Sequence, residues 1–161
     1  MGLRFENQKL CDCYFVTTTF KDWENFGNIQ GVYELLAESL DFYAIKYHVK
    51  IIGYVFMPSH IHLLLIINGE YLSGFMRDFK KYISQKSIKE LGIHRNHIWK
   101  PRFDRVAVYT EKVFRTKLEY IHKNPVRANL VENMESWKWS SYGEYVGKGN
   151  GIIPVYKEWN W

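Results

Sequence analysis

Two histidines one residue apart, His60 and His62, begin an apolar run that continues to Ile67. Side chains at positions i and i+2 of a β-strand point to the same side, so the two imidazoles project together. Paired imidazoles on one face are a starting point for a divalent-metal site. Two hydrogen-bonded histidines would give the same pattern, so the run alone leaves both interpretations open.

A second set of reactive side chains lies in EYIHKNPVRA, residues 119–128. On a continuous helix of 3.6 residues per turn, Asn124 lies about 40° from Tyr120, Lys117 about 60° away, and Arg127 about 20° away on the other side. The phenol would therefore share a polar edge with an amide oxygen and two cations. A residue before a proline is pushed away from helical dihedrals, so the direction of Asn124 stays open. A lone tyrosine is also compatible with simple packing.

The elements that must position these groups show alternating strand and helix patterns. β-branched and aromatic runs predict strands, and apolar positions three and four residues apart predict helices. Strands are predicted at 12–19, 49–56, 60–67 and 103–109, and helices at 30–47, at 71–91 and from Glu111 towards Pro125.

This order predicts an α+β fold of the ferredoxin-like (split βαβ) type, with a four-stranded antiparallel sheet and two helices on one face. In this plan the first and third strands are central, and the third carries His60 and His62. An additional C-terminal helix, which carries Tyr120, would lie outside the basic plan.

The chain as a whole predicts one domain over residues 1–161, with a core of about 10–146 and a C-terminal tail at 147–161. No apolar segment reaches the roughly 18 residues that a membrane span needs, and the N-terminus lacks the pattern of a signal peptide. Cys11 and Cys13 are too close for an ordinary disulfide and are expected to be reduced core residues. We therefore expect a cytoplasmic protein.

Positive charge is concentrated in one part of the chain. The formal net charge is +5, but between Arg77 and Arg127 there are 14 Lys and Arg against 5 Asp and Glu, a surplus of +9. Aromatic residues are interleaved with these cations, a combination that suits a phosphate backbone with bases to stack. Solvated helix faces would give a similar composition, so this signal alone is weak.

Taken together, MPSHIHLLL, RFDRV and LEYIHKNPVRANLV resemble the single-tyrosine HUH transposases of the insertion-sequence type. Insertion-sequence enzymes typically carry Gln four residues after the tyrosine. Asn124 and the WKWSSYGEY segment make the REP-associated tyrosine transposases the more similar branch. The resemblance covers about residues 10–146. It implies that Tyr120 is the nucleophile and that His60, His62 and the side-chain oxygen of Asn124 hold Mg²⁺ or Mn²⁺.

The resemblance also implies an activity, that of a DNA transposition and recombination endonuclease. Such an enzyme cleaves and rejoins single-stranded, hairpin-containing DNA through a 5′-phosphotyrosine and leaves a free 3′-OH. The hairpins would be palindromic repeats or element ends. A non-cleaving nucleic-acid-binding regulator on the same fold is the alternative, and a replication initiator or relaxase is a third interpretation. The sequence leaves open a mobile or a resident enzyme, and a homodimer or a monomer.

Hairpin DNA would need cationic and aromatic partners outside the catalytic residues. The helix at 71–91 would offer cations to phosphates, the segment around Trp99 would contact bases near the fold-back, and the last helix would add positive charge beside Tyr120. The DNA-binding candidates are Arg77, Lys80, Lys81, Lys86, Trp99, Arg102, Arg105, Lys117 and Arg127.

Overall fold

The computed structural model describes residues 12–148 and 152–160. Strands in this part of the chain are β1 (Cys13–Thr19), β2 (Lys50–Phe56), β3 (His60–Ile66) and β4 (Asp104–Ala107). The α-helices are α1 (Val32–Lys46), α2 (Gly69–Leu91), α3 (Glu111–Arg127) and α4 (Tyr142–Tyr145). Short 3₁₀ turns span Lys21–Trp23, Phe26–Asn28 and Met134–Ser136.

The four strands form one antiparallel sheet in the order β2-β3-β1-β4. β1 and β3 are central, and the ferredoxin-like α+β fold is confirmed. His62 lies opposite Thr17 of β1, and His60 lies opposite Thr19. The register therefore places both histidines in the middle of the sheet, with side chains of β1 as their neighbours.

The two faces of the sheet have different coverings. Because side chains alternate along a strand, His60 and His62 point to one face, while Ile61 and Leu63 point to the other and are fully buried. Helices α1 and α2 pack against each other. Helix α3 contacts β2 and β3 and packs on the face that carries the histidines.

Gly53 of β2 allows α3 to approach the sheet closely. It pairs with Leu64 and so lies on the histidine face. A Cβ at this position would be 2.6 Å from Cδ1 of Leu118 and 3.7 Å from Cδ1 of Ile121, both on α3. The first distance is shorter than a carbon–carbon contact allows, so the missing side chain sets the depth at which the helix packs.

The predicted element bounds agree with the structure to within two residues. β4 is the shortest strand because it pairs with β1 only from Asp104 to Ala107. Cys13 is buried in the core, and Cys11 lies outside the described residues. None of the described helices combines the length and the apolar character that crossing a bilayer requires.

Candidate active site

The two histidine rings lie side by side at the start of β3, with their centroids 4.7 Å apart. One nitrogen of each ring is hydrogen-bonded to a hydroxyl: Nδ1 of His60 to Ser59 at 2.9 Å, and Nδ1 of His62 to Thr17 at 2.8 Å. With the proton on Nδ1, each ring presents the lone pair of Nε2. Hydrogen bonds of this kind fix the tautomer and orientation of metal-binding histidines.

Burial keeps this pair of imidazoles neutral. His62 is only 5% exposed, and burial, together with the nearby charges of His60 and Lys117, lowers the pKa of His62 to about 3. Burial also lowers the pKa of His60. Both rings are therefore in the deprotonated state that binds a metal ion at neutral pH.

Nε2 of His62 is buried and has no hydrogen-bond partner among the described residues. A buried polar atom without a partner costs free energy, so native proteins rarely leave one unsatisfied. A cation held between the two rings would satisfy it. The residues present therefore fit the divalent ion that the sequence predicts.

Tyr120 is placed by α3 beside this pair in the same chain. Its ring centroid is 5.3 Å from that of His62 and 5.9 Å from that of Phe15, which itself stacks on His62. Tyr120 is 36% exposed, so part of the residue is open to solvent. The two halves of the predicted site, 60 residues apart in sequence, meet at His62.

Asn124 follows one helical turn after Tyr120 and is 8% exposed. The helix continues through Pro125, and the N–H of Ala128 donates to the carbonyl oxygen of Asn124 at 3.0 Å. Asn124 is therefore helical despite the proline that follows it. No group of three His, Cys, Asp or Glu side chains in residues 12–148 and 152–160 is arranged to hold a metal ion.

Two of the predicted cations lie near the phenol and the histidine pair, one over the Tyr120 ring and one over the Phe15 ring. The ammonium of Lys117 is 4.6 Å from the centre of the Phe15 ring, and the guanidinium of Arg127 is 5.7 Å from the centre of the Tyr120 ring. Both distances are within the range of cation–π contacts. Positive charge is therefore present next to Tyr120 and the histidine pair.

The other face of α3 is tied to the C-terminal segment through His122, which sequence reasoning left without a role. Nε2 of His122 is 2.8 Å from the hydroxyl of Ser141, and that hydroxyl accepts a hydrogen bond from the N–H of Tyr54 in β2. Burial lowers the pKa of His122 to about 4, so the ring is neutral. Ser141 belongs to the WKWSSYGEY segment, so this contact anchors the helix that carries Tyr120 to that segment.

Lys80 and Trp99, two DNA-binding candidates, are engaged inside the protein. The ammonium of Lys80 donates to the carbonyl oxygens of Lys100 and Arg102 at 3.1 and 2.8 Å, and burial lowers its pKa to about 8. Trp99 is buried, stacks on Phe20, and donates from its indole N–H to the carbonyl oxygen of Lys80. Together they hold the loop before β4 in place.

The remaining candidates are spread over the surface. Arg77 is paired with Asp78, and Lys86 with Glu90. Arg105 lies opposite Val16 in the sheet, so its side chain points to the face away from the histidines. Lys81 and Arg102 are exposed.

A cleft of about 200 Å³ opens beside the histidine pair, on the side of β4. Thr17 and Thr19, the cross-strand neighbours of His62 and His60, form one wall. The opposite wall is the loop that Lys80 holds, residues 100–104.

Comparison with known proteins identifies the class. Residues 12–124 match the profile of the family described as "Transposase IS200 like", a stretch of well over half the chain. The chain therefore belongs to the IS200-like transposase family.

The chain is 28% identical over 108 residues to the REP-associated tyrosine transposase of Escherichia coli (strain K12). This match covers 66% of this chain and 61% of that protein. The chain thus matches about three fifths of the length of this relative. Its fold is similar to a solved structure of a REP-associated tyrosine transposase bound to a REP hairpin, with a TM-score of 0.73 and 23% identity. That similarity covers 93% of this chain and 88% of the other.

Proposed function

We propose that this chain is a divalent-metal-dependent enzyme that cleaves and rejoins single-stranded, hairpin-containing DNA through a 5′-phosphotyrosine at Tyr120. The observation that carries the proposal is the position of the Tyr120 ring, 5.3 Å from the ring of His62. A phenol beside two neutral imidazoles that could hold a divalent ion suits metal-assisted attack on a phosphodiester.

His60 and His62, with the side-chain oxygen of Asn124, would hold Mg²⁺ or Mn²⁺, ions that accept mixed nitrogen and oxygen ligands. When bound, such an ion supplies charge neutralisation and orientation of the scissile phosphate. Ser59 and Thr17 fix the two rings through their Nδ1 atoms.

The covalent step conserves the number of phosphodiester bonds. The phenolic oxygen of Tyr120 forms a bond to phosphorus while the bond from phosphorus to the 3′-oxygen breaks. The phenol loses its proton, and the departing 3′-oxygen gains one as a 3′-OH. Because a diester is exchanged for a diester, the reverse reaction joins a 3′-OH to the phosphotyrosine without a nucleotide cofactor. Lys117 and Arg127 supply positive charge where the phosphate must lie.

The substrate is proposed from the relatives rather than from a pocket of this chain. The related structure holds a REP hairpin, and the segment from Arg77 to Arg127 has a charge surplus of +9, with 14 cations against 5 anions. A folded single strand with unpaired flanks suits both features. A non-cleaving regulator of the same fold would bind such hairpins without covalent chemistry.

Trapping of the covalent adduct separates these two functions. A pool of labelled synthetic single-stranded hairpins with randomised flanks is incubated with the protein and Mn²⁺, and denaturing gels are searched for a protein–DNA adduct. We expect an adduct with the wild type and with Tyr109→Phe, an exposed tyrosine outside the site, and none with Tyr120→Phe or with chelator. His60→Ala is expected to lose the adduct and keep hairpin binding. Binding without an adduct in the wild type would instead establish the regulator.

A further inference from the structure

Trp23 is an exposed indole at the edge of the site, and the proposed chemistry gives it no role so far. Its side chain is 60% exposed, the most exposed tryptophan among the described residues. Its ring meets that of His60 edge-on, with centroids 5.8 Å apart and an interplanar angle of 66°. A large apolar ring beside a reactive centre, with most of its surface in water, is available to cover a ligand.

The backbone at this residue is held in a disfavoured conformation. Both Asp22 and Trp23 have φ of +55°, in the left-handed region that bulky side chains avoid. Two backbone hydrogen bonds hold this turn. The N–H of Lys21 donates to the carbonyl oxygen of Ile98 at 2.8 Å, and the N–H of Trp23 donates to the carbonyl oxygen of Phe20 at 3.1 Å. Such strained residues persist where surrounding structure imposes them, and they concentrate at ligand-binding sites.

Four rings are connected by successive contacts at the site. Tyr120 meets His62 at 5.3 Å, His62 meets His60 at 4.7 Å, and His60 meets Trp23 at 5.8 Å. The phenol therefore contacts the His62 end of the imidazole pair, and the indole contacts the His60 end. A phosphate held over the pair would have Tyr120 at its His62 side and Trp23 at its His60 side.

The stereochemistry of phosphoryl transfer then assigns the indole to one nucleotide. In an in-line displacement the leaving oxygen departs from the side of phosphorus opposite to the attacking oxygen. With the phenol on the His62 side of that phosphate, the nucleotide that keeps the 3′-OH lies on the His60 side, which Trp23 borders. We infer that Trp23 is the stacking platform for the base immediately 5′ of the scissile phosphate, an assignment that rests on the proposed cleavage by Tyr120. Stacking on an indole accepts any base, so Trp23 would hold this nucleotide in place without selecting its sequence.

The platform is tested by 2-aminopurine fluorescence, after sequencing of the wild-type adduct has located the cleaved bond. The Tyr120→Phe protein, which keeps the DNA intact, is titrated with hairpins that carry 2-aminopurine either 5′ or 3′ of that bond. We expect quenching at the 5′ position that is lost in Trp23→Ala and retained in Trp23→Phe. Tyr71→Ala, which removes an equally exposed ring at the start of α2, serves as the matched control and should leave the signal unchanged.

Affinity provides a second readout. Trp23→Ala should weaken binding of the intact hairpin about tenfold. On a hairpin with an abasic site at the 5′ position, the proteins with and without Trp23 should bind with equal affinity. The platform would be overturned if Trp23→Ala weakened binding equally on intact and abasic hairpins, or if the 2-aminopurine signal were still quenched in Trp23→Ala. In either case, an adduct with the wild type would still support cleavage. If the wild type forms no adduct on any hairpin, cleavage itself is overturned, and the platform with it.

Discussion

At the scale of single residues, hydrogen bonds at Nδ1 orient the two imidazole rings of His60 and His62. Thr17 holds His62 with Nε2 buried and without a partner among the described residues. The pair itself was predictable, because alternation along a strand places i and i+2 on one face. The contact of His62 with Thr17 was not predictable. Thr17 lies 45 residues away in sequence, and no local pattern encodes the strand register that places it opposite His62.

Thr17→Val should therefore weaken metal binding without unfolding the protein. The substitution keeps the shape of the side chain and removes the hydroxyl that orients His62. Loss of such a supporting hydrogen bond typically costs about ten- to hundredfold in metal affinity. Calorimetric titration with Mn²⁺ in the absence of DNA measures this directly.

The neighbouring residue offers a matched control. Thr18 is buried, its hydroxyl has no hydrogen-bond partner among the described residues, and it faces the other side of the sheet. Thr18→Val should leave Mn²⁺ affinity unchanged. Equal affinities for wild type and Thr17→Val would show that the hydroxyl does not orient the ligand.

At the scale of elements, the position of α3 determines whether Tyr120 reaches the histidines. Gly53 allows α3 to pack close to the sheet. The hydrogen bond between His122 and Ser141 connects α3 to the C-terminal segment. The helix and its apolar face were readable from the sequence. The turn that carries Trp23 was not, because two consecutive left-handed residues without glycine leave no sequence signal.

Gly53→Ala should displace α3 and slow the reaction. The new methyl group would meet Leu118, which has to move, and overpacking of this kind costs about 1–3 kcal/mol. We expect a lower free energy of unfolding in denaturant titrations and a slower rate of adduct formation. Gly143→Ala is the control, since a Cβ there has no neighbour within 4 Å. Wild-type stability and rate in Gly53→Ala would show that the close approach is unimportant.

At the scale of the whole molecule, one chain contains every proposed catalytic group. The rings of His60, His62 and Tyr120 form a continuous set of contacts within a single chain. The sequence did not settle this point, because a helix contributed by a second copy would have produced the same motifs. Only the packing of α3 on its own sheet distinguishes the two arrangements.

Complementation tests the single-chain site. His60→Ala retains Tyr120, the proposed nucleophile, and Tyr120→Phe retains both histidines. A mixture of the two variants therefore contains every proposed group, but never in one chain. We expect the mixture to form no adduct on hairpins that the wild type cleaves. Adducts at a substantial fraction of the wild-type rate would show that Tyr120 acts on the histidine pair of another copy.

The most direct test of the account is identification of the residue that carries the DNA. The wild-type adduct is digested with nuclease and protease, and the modified peptide is sequenced by mass spectrometry. We predict a single nucleotide joined through its 5′-phosphate to Tyr120, with a free 3′-OH on the released strand. A phosphorylated residue other than Tyr120, or attachment through a 3′-phosphate, would contradict the mechanism.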